Sequence, residues 1–212
     1  MSTKRGALIV IEGLDRSGKS TQAATLLTHL ASLSLSAKLQ KFPDRTTPIG
    51  KMIDAFLRSE SELDDRAIHL LFSANRWETA ASIESTLLAG TTVLCDRYAF
   101  SGIAFSTAKG LSYAWCRAPD VGLPRPDLTL FLDVSPETAR ARGGYGEERY
   151  EREELQRRVR EQYARIGGET SGWIRVDADQ DLDVVAKEVW AHVEPLAHGV
   201  ASPIQKLWTE VL

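Results

Sequence analysis

The stretch Gly13–Ser20 reads GLDRSGKS and fits the pattern G-x-x-x-x-G-K-[ST] of a phosphate-binding loop, or P-loop. Glycines let such a loop close tightly, so that consecutive backbone N–H groups point inward at an anion. A strand-like apolar run over 7–12 precedes the loop, and a helical pattern over 17–33 follows it. A helix N-terminus adds partial positive charge at the loop. This context predicts a nucleotide-phosphate site and disfavours the alternative, a turn that binds nothing.

The residue types within the loop indicate a separate role for each of three side chains. Lys19 is placed to reach the β- and γ-phosphates of a nucleotide, and the Ser20 hydroxyl is placed to hold Mg²⁺. Arg16 lies inside the loop, where a guanidinium would neutralise charge on a transferring phosphoryl group, as an arginine finger does. The alternative for Arg16 is a solvated surface residue.

Strand-like and helical patterns alternate along the rest of the chain. Predicted strands cover 7–12, 37–42, 91–95, 128–134 and 173–177. Predicted helices cover 17–33, 49–58, 64–89, a segment that opens at Ser135-Pro136, a segment that ends near 166, and 182–196. Alternation of this kind predicts an α/β fold, with a five-stranded parallel sheet flanked by helices on both faces. With neither repeats nor a linker, we expect one domain over 1–212.

Composition excludes several classes of protein. The chain has 212 residues, of which 43% are hydrophobic and 26% charged, with a net charge of -3. That charge argues against nucleic acid as a partner, since a nucleic-acid backbone needs a net basic face. The N-terminus lacks the apolar core of a signal peptide, and no apolar stretch reaches the length of a membrane span. Cys95 and Cys116 have no metal-ligand spacing. We therefore expect a cytoplasmic and/or nuclear protein without membrane partners.

Three arginine-containing clusters follow predicted strands or lie on a predicted helix. They are Phe42–Arg45 (FPDR), Phe72–Arg76 (FSANR) and Asp96–Tyr98 (DRY). Phe72 and Arg76 share one helix face, where a ring stacks on a flat base and a guanidinium donates hydrogen bonds to it. The third cluster ends a strand, where open α/β sheets bind their ligands, so Asp96 is placed to hold Mg²⁺ through water. Structural ion pairs for the arginines and a core position for Phe72 are the alternatives.

Longer motifs carry a family resemblance. The runs GLDRSGKST, FPDR, LLFSANRWE, DRYAFSGIAF, PDVGLPRPDL and GEERYE resemble those of thymidylate kinases, of the eukaryotic type with Arg in the P-loop. The resemblance implies a P-loop nucleoside monophosphate kinase with a lid over about 143–152. Such an enzyme transfers the γ-phosphate of ATP to dTMP and gives dTDP, in dTTP biosynthesis. It also implies Mg²⁺ as cofactor and a homodimer formed through helices.

On the acceptor side, the resemblance implies a role for each matching residue. Arg45 and Arg97 hold the dTMP phosphate, Phe72 stacks on thymine, Arg76 donates to a thymine carbonyl oxygen, and Tyr150 crowds the 2′ position. Asp15 binds the 3′-hydroxyl, and the remaining residues line the base and sugar pocket. The expected dTMP-binding residues are Asp15, Phe42, Pro43, Arg45, Leu57, Phe72, Arg76, Arg97, Ser101, Gly102, Phe105 and Tyr150.

On the donor side, the resemblance implies that Arg142 packs against adenine and that Gln156 ties the lid to the P-loop. In some lids, basic side chains supply the catalytic cations. This lid differs, because the run Gly143–Glu148 ends in two acidic residues. This departure favours Arg16 as the main catalytic arginine. The expected ATP-binding residues are Gly13, Ser17, Gly18, Lys19, Ser20, Thr21 and Arg142, the catalytic ones are Arg16, Lys19, Asp96 and Arg97, and the metal ligands are Ser20 and Asp96.

Other functions remain open from the residues alone. A kinase for uridylate, cytidylate or a deoxynucleoside shares the same chemistry, and a non-catalytic nucleotide-binding regulator would share the P-loop. The chain lacks an Asn-Lys-x-Asp motif, which weighs against a GTPase. For the expected homodimer, Ile68, Leu71 and Leu87 are either core residues or part of the dimer contact.

Overall fold

Five parallel strands form the central sheet of the protein. In this computed structural model, residues 4–142, 149–150 and 152–209 are described. The strands are β1 (Leu8–Gly13), β2 (Ala37–Lys41), β3 (Thr92–Asp96), β4 (Leu128–Asp133) and β5 (Trp173–Asp177). They pair in parallel in the order β2-β3-β1-β4-β5. The predicted sheet is confirmed, and the three inner strands are buried along their whole length.

Helices cover both faces of this sheet, as predicted. They are α1 (Lys19–Ser32), α2 (Pro48–Leu57), α3 (Asp65–Leu88), α4 (Ala99–Ala108), α5 (Tyr113–Arg117), α6 (Pro136–Ala141), α7 (Glu153–Glu169) and α8 (Leu182–Val193), with short 3₁₀ turns at Ala118–Asp120 and Glu194–Leu196. Helices α1 and α8 pack together, while α4 packs against α3 and α7. None of the helices in the described ranges has the length and apolarity to cross a membrane.

Helix starts follow local sequence chemistry. The Ser135 hydroxyl accepts a hydrogen bond from the Thr138 N–H, and Pro136 occupies the first position of α6, as the sequence predicted. Thr47 caps α2 in the same way and is also followed by a proline. The end of α1 differs from expectation. That helix ends at Ser32, so Leu33 lies outside it and is exposed, although the predicted helix extended to Leu33.

Two helices were not predicted, and α4 explains why. Its sequence, AFSGIAFSTA, carries apolar residues all round the helix, so it shows no polar face and no 3.6-residue pattern. It is buried against α3, α5 and α7 and follows directly after β3. Helix α5 has only five residues, too short for a periodic signal.

Strand order places the ligand crevice. The chain runs from β1 outward to β2, returns to β3, and then crosses to β4 on the opposite side of β1. Parallel α/β sheets bind ligands outside the carboxyl ends of the strands at such a reversal. In this chain that point is the end of β1, where the P-loop begins. Of the predicted lid, 143–148 and 151 lie outside the described residues.

Candidate active site

The P-loop connects β1 to α1 in a tightly closed turn. A Cβ at Gly13 would lie 2.5 Å from Ser17 Oγ and 2.6 Å from the Leu132 carbonyl oxygen, so only glycine fits there. Arg16 and Gly18 have left-handed backbone, with φ of 63° and 90°. Gly18 is the N-cap residue of α1, where an L side chain would be strained. The loop thus aims the N-terminus of α1 at the crevice.

Lys19 lies across the P-loop and is buried. Its ammonium donates to the Leu14 carbonyl oxygen and, at 3.3 Å, to Ser17 Oγ. Burial, together with the nearby Arg97 guanidinium, lowers the pKa of Lys19 to about 8 against the opposing effect of Asp15 and other carboxylates. The loop therefore holds a buried cation in place before any phosphate arrives.

Ser20 and Asp96 meet at the entrance to the crevice. Ser20 is in the first turn of α1, Asp96 ends β3, and Ser20 Oγ donates to Asp96 Oδ2 at 2.5 Å. The two metal ligands expected from the sequence are thus adjacent. A hydroxyl and a carboxylate are hard oxygen donors, the type that Mg²⁺ takes alongside substrate phosphates. The donor chemistry fits the expected ion.

Arg97 follows Asp96 and links β3 to the P-loop. Its backbone is left-handed, with a φ of 68°. Its Nη1 donates to the Gly13 carbonyl oxygen at 3.1 Å and to Ser101 Oγ at 3.2 Å, and its Nη2 forms an ion pair with Asp15. Burial acts to lower the pKa of Arg97, but Asp15, Tyr163, Glu12 and Asp96 together outweigh it and leave the pKa above its usual value. Arg97 is a permanent cation at the mouth of the loop.

Gln156, in the first turn of α7, holds Asp15 from the other side. Its Nε2 donates to Asp15 Oδ2 at 2.6 Å and to the Tyr150 carbonyl oxygen at 2.9 Å, while its Oε1 accepts from the Asp15 N–H at 3.2 Å. The expected tie between the lid region and the P-loop is present. Asp15 is therefore shared between Arg97 and Gln156.

A cavity of about 430 Å³ opens beside the P-loop. All twelve residues expected to bind dTMP line it, together with Arg16, Lys19, Ser20 and Asp96. Three further residues, Lys41, Tyr98 and Ser106, line the cavity although the sequence analysis assigned them no binding role. The other expected ATP residues lie outside the cavity, in the body of the loop, in α1 and after α6. These are Gly13, Ser17, Gly18, Thr21 and Arg142.

Arg76 is oriented by a carboxylate that the sequence analysis missed. Asp120 is buried and accepts from Arg76 Nε at 3.1 Å and from Nη2 at 2.6 Å. The Ser73 hydroxyl donates to the same carboxylate at 2.7 Å. Opposite the guanidinium, a Cβ at Gly102 would lie 2.9 Å from Arg76 Nη2, so the guanidinium passes directly over this glycine. Arg76 is thus both an ion-pair partner and part of the cavity wall.

Arg45, like Arg76, is both an ion-pair partner and a residue of the cavity wall, but it is more exposed. Its Nη1 lies 2.6 Å from Asp54 Oδ1, and its side chain is 39% exposed. The ion-pair alternative therefore holds for Arg45 and Arg76, yet both line the cavity. Phe72 is half-buried and also lines it, which argues against a plain core position.

Tyr150 lines the cavity, and its side chain is held by neighbouring residues. Its ring stacks on Phe105, with centroids 5.4 Å apart and planes inclined by 29°. The Lys109 ammonium donates to the Tyr150 hydroxyl at 3.1 Å and is paired with Asp65 at 2.5 Å. These contacts fix the hydroxyl end of Tyr150, so the ring forms a rigid wall.

Two arginines near the predicted lid have distinct partners. Arg142 donates to the Arg16 carbonyl oxygen at 3.0 Å and to the Ala178 carbonyl oxygen at 2.6 Å, so it joins the P-loop to the segment after β5. Arg149 instead pairs with Glu62 at 2.7 Å and donates to the Phe56 carbonyl oxygen at 2.9 Å. Arg149 therefore points toward the α2–α3 connection.

Known proteins of similar sequence and structure were compared with the chain. The family model for thymidylate kinase matches residues 11–189. A thymidylate kinase from Schizosaccharomyces pombe is 54% identical over 189 residues, which cover 87% of this chain and 90% of that protein. One from Arabidopsis thaliana is 50% identical over 209 residues, covering 97% of this chain and 78% of that protein.

A solved structure agrees with these sequence matches. The thymidylate kinase from Candida albicans superposes with a TM-score of 0.88 at 41% identity. The superposition covers 96% of this chain and 99% of the Candida albicans chain. A family-model match over most of the chain and relatives at 50% and 54% identity agree with the P-loop and the cavity beside it. The chain belongs to the thymidylate kinase family.

Proposed function

We propose that this protein is a dTMP kinase, which transfers the γ-phosphate of ATP to dTMP and gives dTDP for dTTP biosynthesis. One observation carries the proposal. The residues expected to bind dTMP surround a single cavity, and that cavity reaches Arg16, Lys19 and Ser20 of the P-loop. A phosphate in the cavity is then close to a phosphate held by the loop, as transfer between them requires.

The acceptor phosphate acts as the nucleophile. A nucleoside monophosphate is largely a dianion at neutral pH, so its oxygen attacks the γ-phosphorus without a general base. Catalysis is then positioning and charge neutralisation. Arg45 and Arg97 hold the acceptor phosphate, and Arg76 and Phe72 hold the base.

Cations around the transferring group stabilise the charge that spreads over its oxygens. Lys19 exchanges its hydrogen bonds to the Leu14 carbonyl oxygen and Ser17 for phosphate oxygens. Arg16 lies on the same loop and lines the cavity, so its guanidinium reaches the bridging region between the two nucleotides. Arg97 contributes from the acceptor side, and Asp15 holds it there.

Mg²⁺ is the proposed cofactor, with Ser20 and Asp96 as its protein-side contacts. When bound, it supplies charge neutralisation at the β- and γ-phosphate oxygens. Ser20 and Asp96 lie 2.5 Å apart, oxygen to oxygen, and both line the cavity beside the loop. Asp96 also ends β3, a buried strand, so its position is rigid.

A panel of nucleoside monophosphates tests the substrate. ADP release from ATP is coupled to a spectroscopic readout with dTMP, dUMP, UMP, CMP and dCMP as acceptors. We expect dTMP to give the highest kcat/KM, and the ribonucleotides to be poor because Tyr150 crowds the 2′ position. A higher kcat/KM for UMP or CMP would favour the rival kinase, and ATP binding without ADP release would favour a regulator.

A homodimer is proposed as the assembly. Helix α3 exposes Leu70, Trp77 and Leu88, which are seven and eleven positions apart and so lie along one line of the helix. Met52 of α2 is also half-exposed. Ile68 and Leu87 are fully buried within the chain and belong to the core instead. Light scattering after gel filtration should give twice the mass of one chain for the wild-type protein. The double variant Leu70→Glu, Trp77→Glu should give the mass of a single chain.

The domain limits and the compartment are also proposals. We propose one kinase domain over 1–212, with the lid at about 143–152, the segment that follows α6 and precedes α7. Both cysteines are buried free thiols, which suits a reducing cytoplasmic or nuclear compartment. Cell fractionation with a tagged chain tests the compartment, and limited proteolysis tests the domain limits.

A further inference from the structure

Glu12, at the carboxyl end of β1, is a buried carboxylate to which the mechanism above gives no role. It is fully buried. Its Oε1 accepts from the backbone N–H groups of Tyr98 at 2.9 Å and Ser101 at 3.1 Å. Its Oε2 accepts from the hydroxyls of Ser101 at 2.6 Å and Tyr163 at 2.9 Å. A buried carboxylate is strongly disfavoured without such donors, so the fold supplies them for this one side chain.

The two backbone donors belong to the start of α4. Tyr98 is the N-cap residue of α4, and its own side chain makes no capping hydrogen bond. Orphan N–H groups at a helix start need an acceptor, and an anion there also complements the helix dipole. Glu12, which belongs to β1, supplies both the acceptor for these N–H groups and the negative charge at the helix start. It therefore fixes the point at which α4 begins.

The N-cap residue of α4, Tyr98, directly follows Arg97 in the chain. The Arg97 backbone is left-handed, with a φ of 68°, a conformation that costs a non-glycine residue about 1–3 kcal/mol. The Arg97 N–H donates to the Ile11 carbonyl oxygen at 2.9 Å, and the next N–H, from Tyr98, donates to Glu12. Two consecutive N–H groups are thus bound to consecutive residues of β1. This pair of contacts imposes the strained conformation.

The side chain of Arg97 is fixed by the same carboxylate. Ser101 Oγ donates its single proton to Glu12 and accepts from Arg97 Nη1 at 3.2 Å. Because that proton goes to Glu12, a lone pair of the hydroxyl faces the guanidinium. Tyr163 from α7 donates to the same carboxylate oxygen, which limits the directions that Glu12 can adopt.

We propose that Glu12 is a positioning residue for Arg97. By capping α4 and orienting the Ser101 hydroxyl, Glu12 holds the guanidinium where it grips the phosphate of dTMP. This inference rests on the proposed function and adds a residue to it that contacts no substrate. Glu12 does not line the cavity, so its effect on dTMP must pass through Arg97 and the start of α4.

Glu12→Gln tests the role with a side chain of the same size. The amide removes the charge and one acceptor oxygen, so the Ser101 and Tyr163 hydroxyls lose a shared partner. We expect kcat/KM for dTMP to fall about 10- to 100-fold, by analogy with residues that orient metal ligands through hydrogen bonds. The KM for ATP should stay near the wild-type value. A wild-type kcat/KM for dTMP in this variant would overturn the role.

Asp127→Asn is the matched control at the other end of β1. Asp127 is also a largely buried carboxylate that accepts from a backbone N–H, that of Leu8, at 2.8 Å. It lies away from the cavity and should lose stability while keeping kcat/KM for dTMP. A loss in this control equal to that of Glu12→Gln would assign the effect to general destabilisation and overturn the proposal.

A double-mutant cycle with Arg97→Ala separates positioning from structure. If Glu12 acts through Arg97, then adding Glu12→Gln to Arg97→Ala causes no further loss in kcat/KM for dTMP. Losses that multiply would overturn the proposal. Wild-type protein without dTDP formation would instead refute the proposed function.

Tyr163→Phe serves if Glu12→Gln does not fold. It removes one donor to Glu12 and does not line the cavity. We expect a smaller fall in kcat/KM for dTMP, which should again be absent in the Arg97→Ala background. An unchanged kcat/KM, or a loss that persists without Arg97, would contradict the role of Glu12.

Discussion

The two ends of β1 differ in how the buried charged groups beside them are paired. At the amino end, Asp127 accepts from the Leu8 N–H and forms a bidentate pair with Arg5 at 2.7 and 2.8 Å. At the carboxyl end, several charged groups converge beside a cavity of about 430 Å³. The amino end satisfies its charges within the chain, whereas the carboxyl end keeps cations where a ligand can reach them.

Backbone conformation differs in the same direction. Arg16 and Arg97, both at the carboxyl end, have positive φ although neither is glycine. Such strain persists only where surrounding contacts impose it, and it is concentrated at functional sites. The hydrogen bonds from Arg97 to Ile11 and from Tyr98 to Glu12 are such contacts. The comparison shows that the fold accepts a strained, less stable backbone at the carboxyl end of β1, where the strain positions groups of a phosphate site.

The largest expected effect is at Arg16. Arg16→Gly should lower kcat about 10³-fold or more, the lower range for an arginine that stabilises phosphoryl transfer, with little change in KM for dTMP. The left-handed backbone at Arg16 suits glycine, so the fold should be kept. Steady-state kinetics measure the change. Arg16→Asn, which also tolerates this conformation, should match it, and near-normal turnover in either variant would remove Arg16 from the role.

The next effect is at the amino end and concerns stability. Asp127→Ala leaves Arg5 and the Leu8 N–H without their acceptor, so the free energy of unfolding should fall by about 3–5 kcal/mol. Urea unfolding measures this loss. Because the site is at the other end of β1, kcat/KM of the folded fraction should not change. A variant with normal stability but impaired kinetics would break the comparison.

A smaller effect is expected at Asp120, which orients Arg76. Asp120→Asn keeps the shape but removes the charge that holds the guanidinium by two hydrogen bonds. The KM for dTMP should rise about 10-fold, consistent with a charged hydrogen bond, and the KM for ATP should not. Asp54→Asn is the control, since the Arg45 pair is exposed and should matter less. An equal rise in both variants would contradict the orienting role.

The smallest effect is a pH dependence at His69. His69 Nε2 donates to the Cys116 carbonyl oxygen at 2.9 Å, so Nδ1 accepts from the Ser106 hydroxyl at 2.8 Å. Burial, with the nearby Arg76 guanidinium, lowers the pKa of His69 below its usual value. The unfolded chain therefore binds the proton more readily. Stability from the neutral ring is full above about pH 6.5 and falls as the pH drops toward the folded pKa.

His69→Gln tests that dependence. Between pH 7.5 and 5.5, the wild-type free energy of unfolding should fall more steeply than that of the variant, by at most about 1.4 kcal/mol per pH unit. Urea unfolding at several pH values measures both slopes, and other titrating groups cancel in the difference. Parallel slopes would show that His69 does not titrate on unfolding.

Local sequence predicted the sheet and the P-loop because their signals lie within a few consecutive residues. The apolar run 7–12, the Gly13–Ser20 motif and the Ser135-Pro136 helix start are all of this kind. Helix α4 was missed because its apolar character on every side erased the helical period. The formation of α4 depends on its burial against other helices, which is a property of the tertiary structure and not of the local sequence.

Partners of the site residues were harder to predict than the residues themselves. The arginine clusters were visible as motifs, and each lines the cavity. Asp120 lies 44 positions from Arg76, and Tyr163 lies 151 positions from Glu12. Glu12 had one local signal, a charged residue at the end of an apolar strand. The groups that donate to its carboxylate are set by the fold and carry no short-range pattern.

The transfer of labelled phosphate tests the central claim most directly. Purified protein is given MgATP labelled with ³²P at the γ position, together with dTMP, and the products are separated. We predict label in the β-phosphate of dTDP, in equal amount to the ADP formed. Label that stays in ATP, or that appears as inorganic phosphate at the same rate with and without dTMP, would contradict a site built for transfer between two bound phosphates.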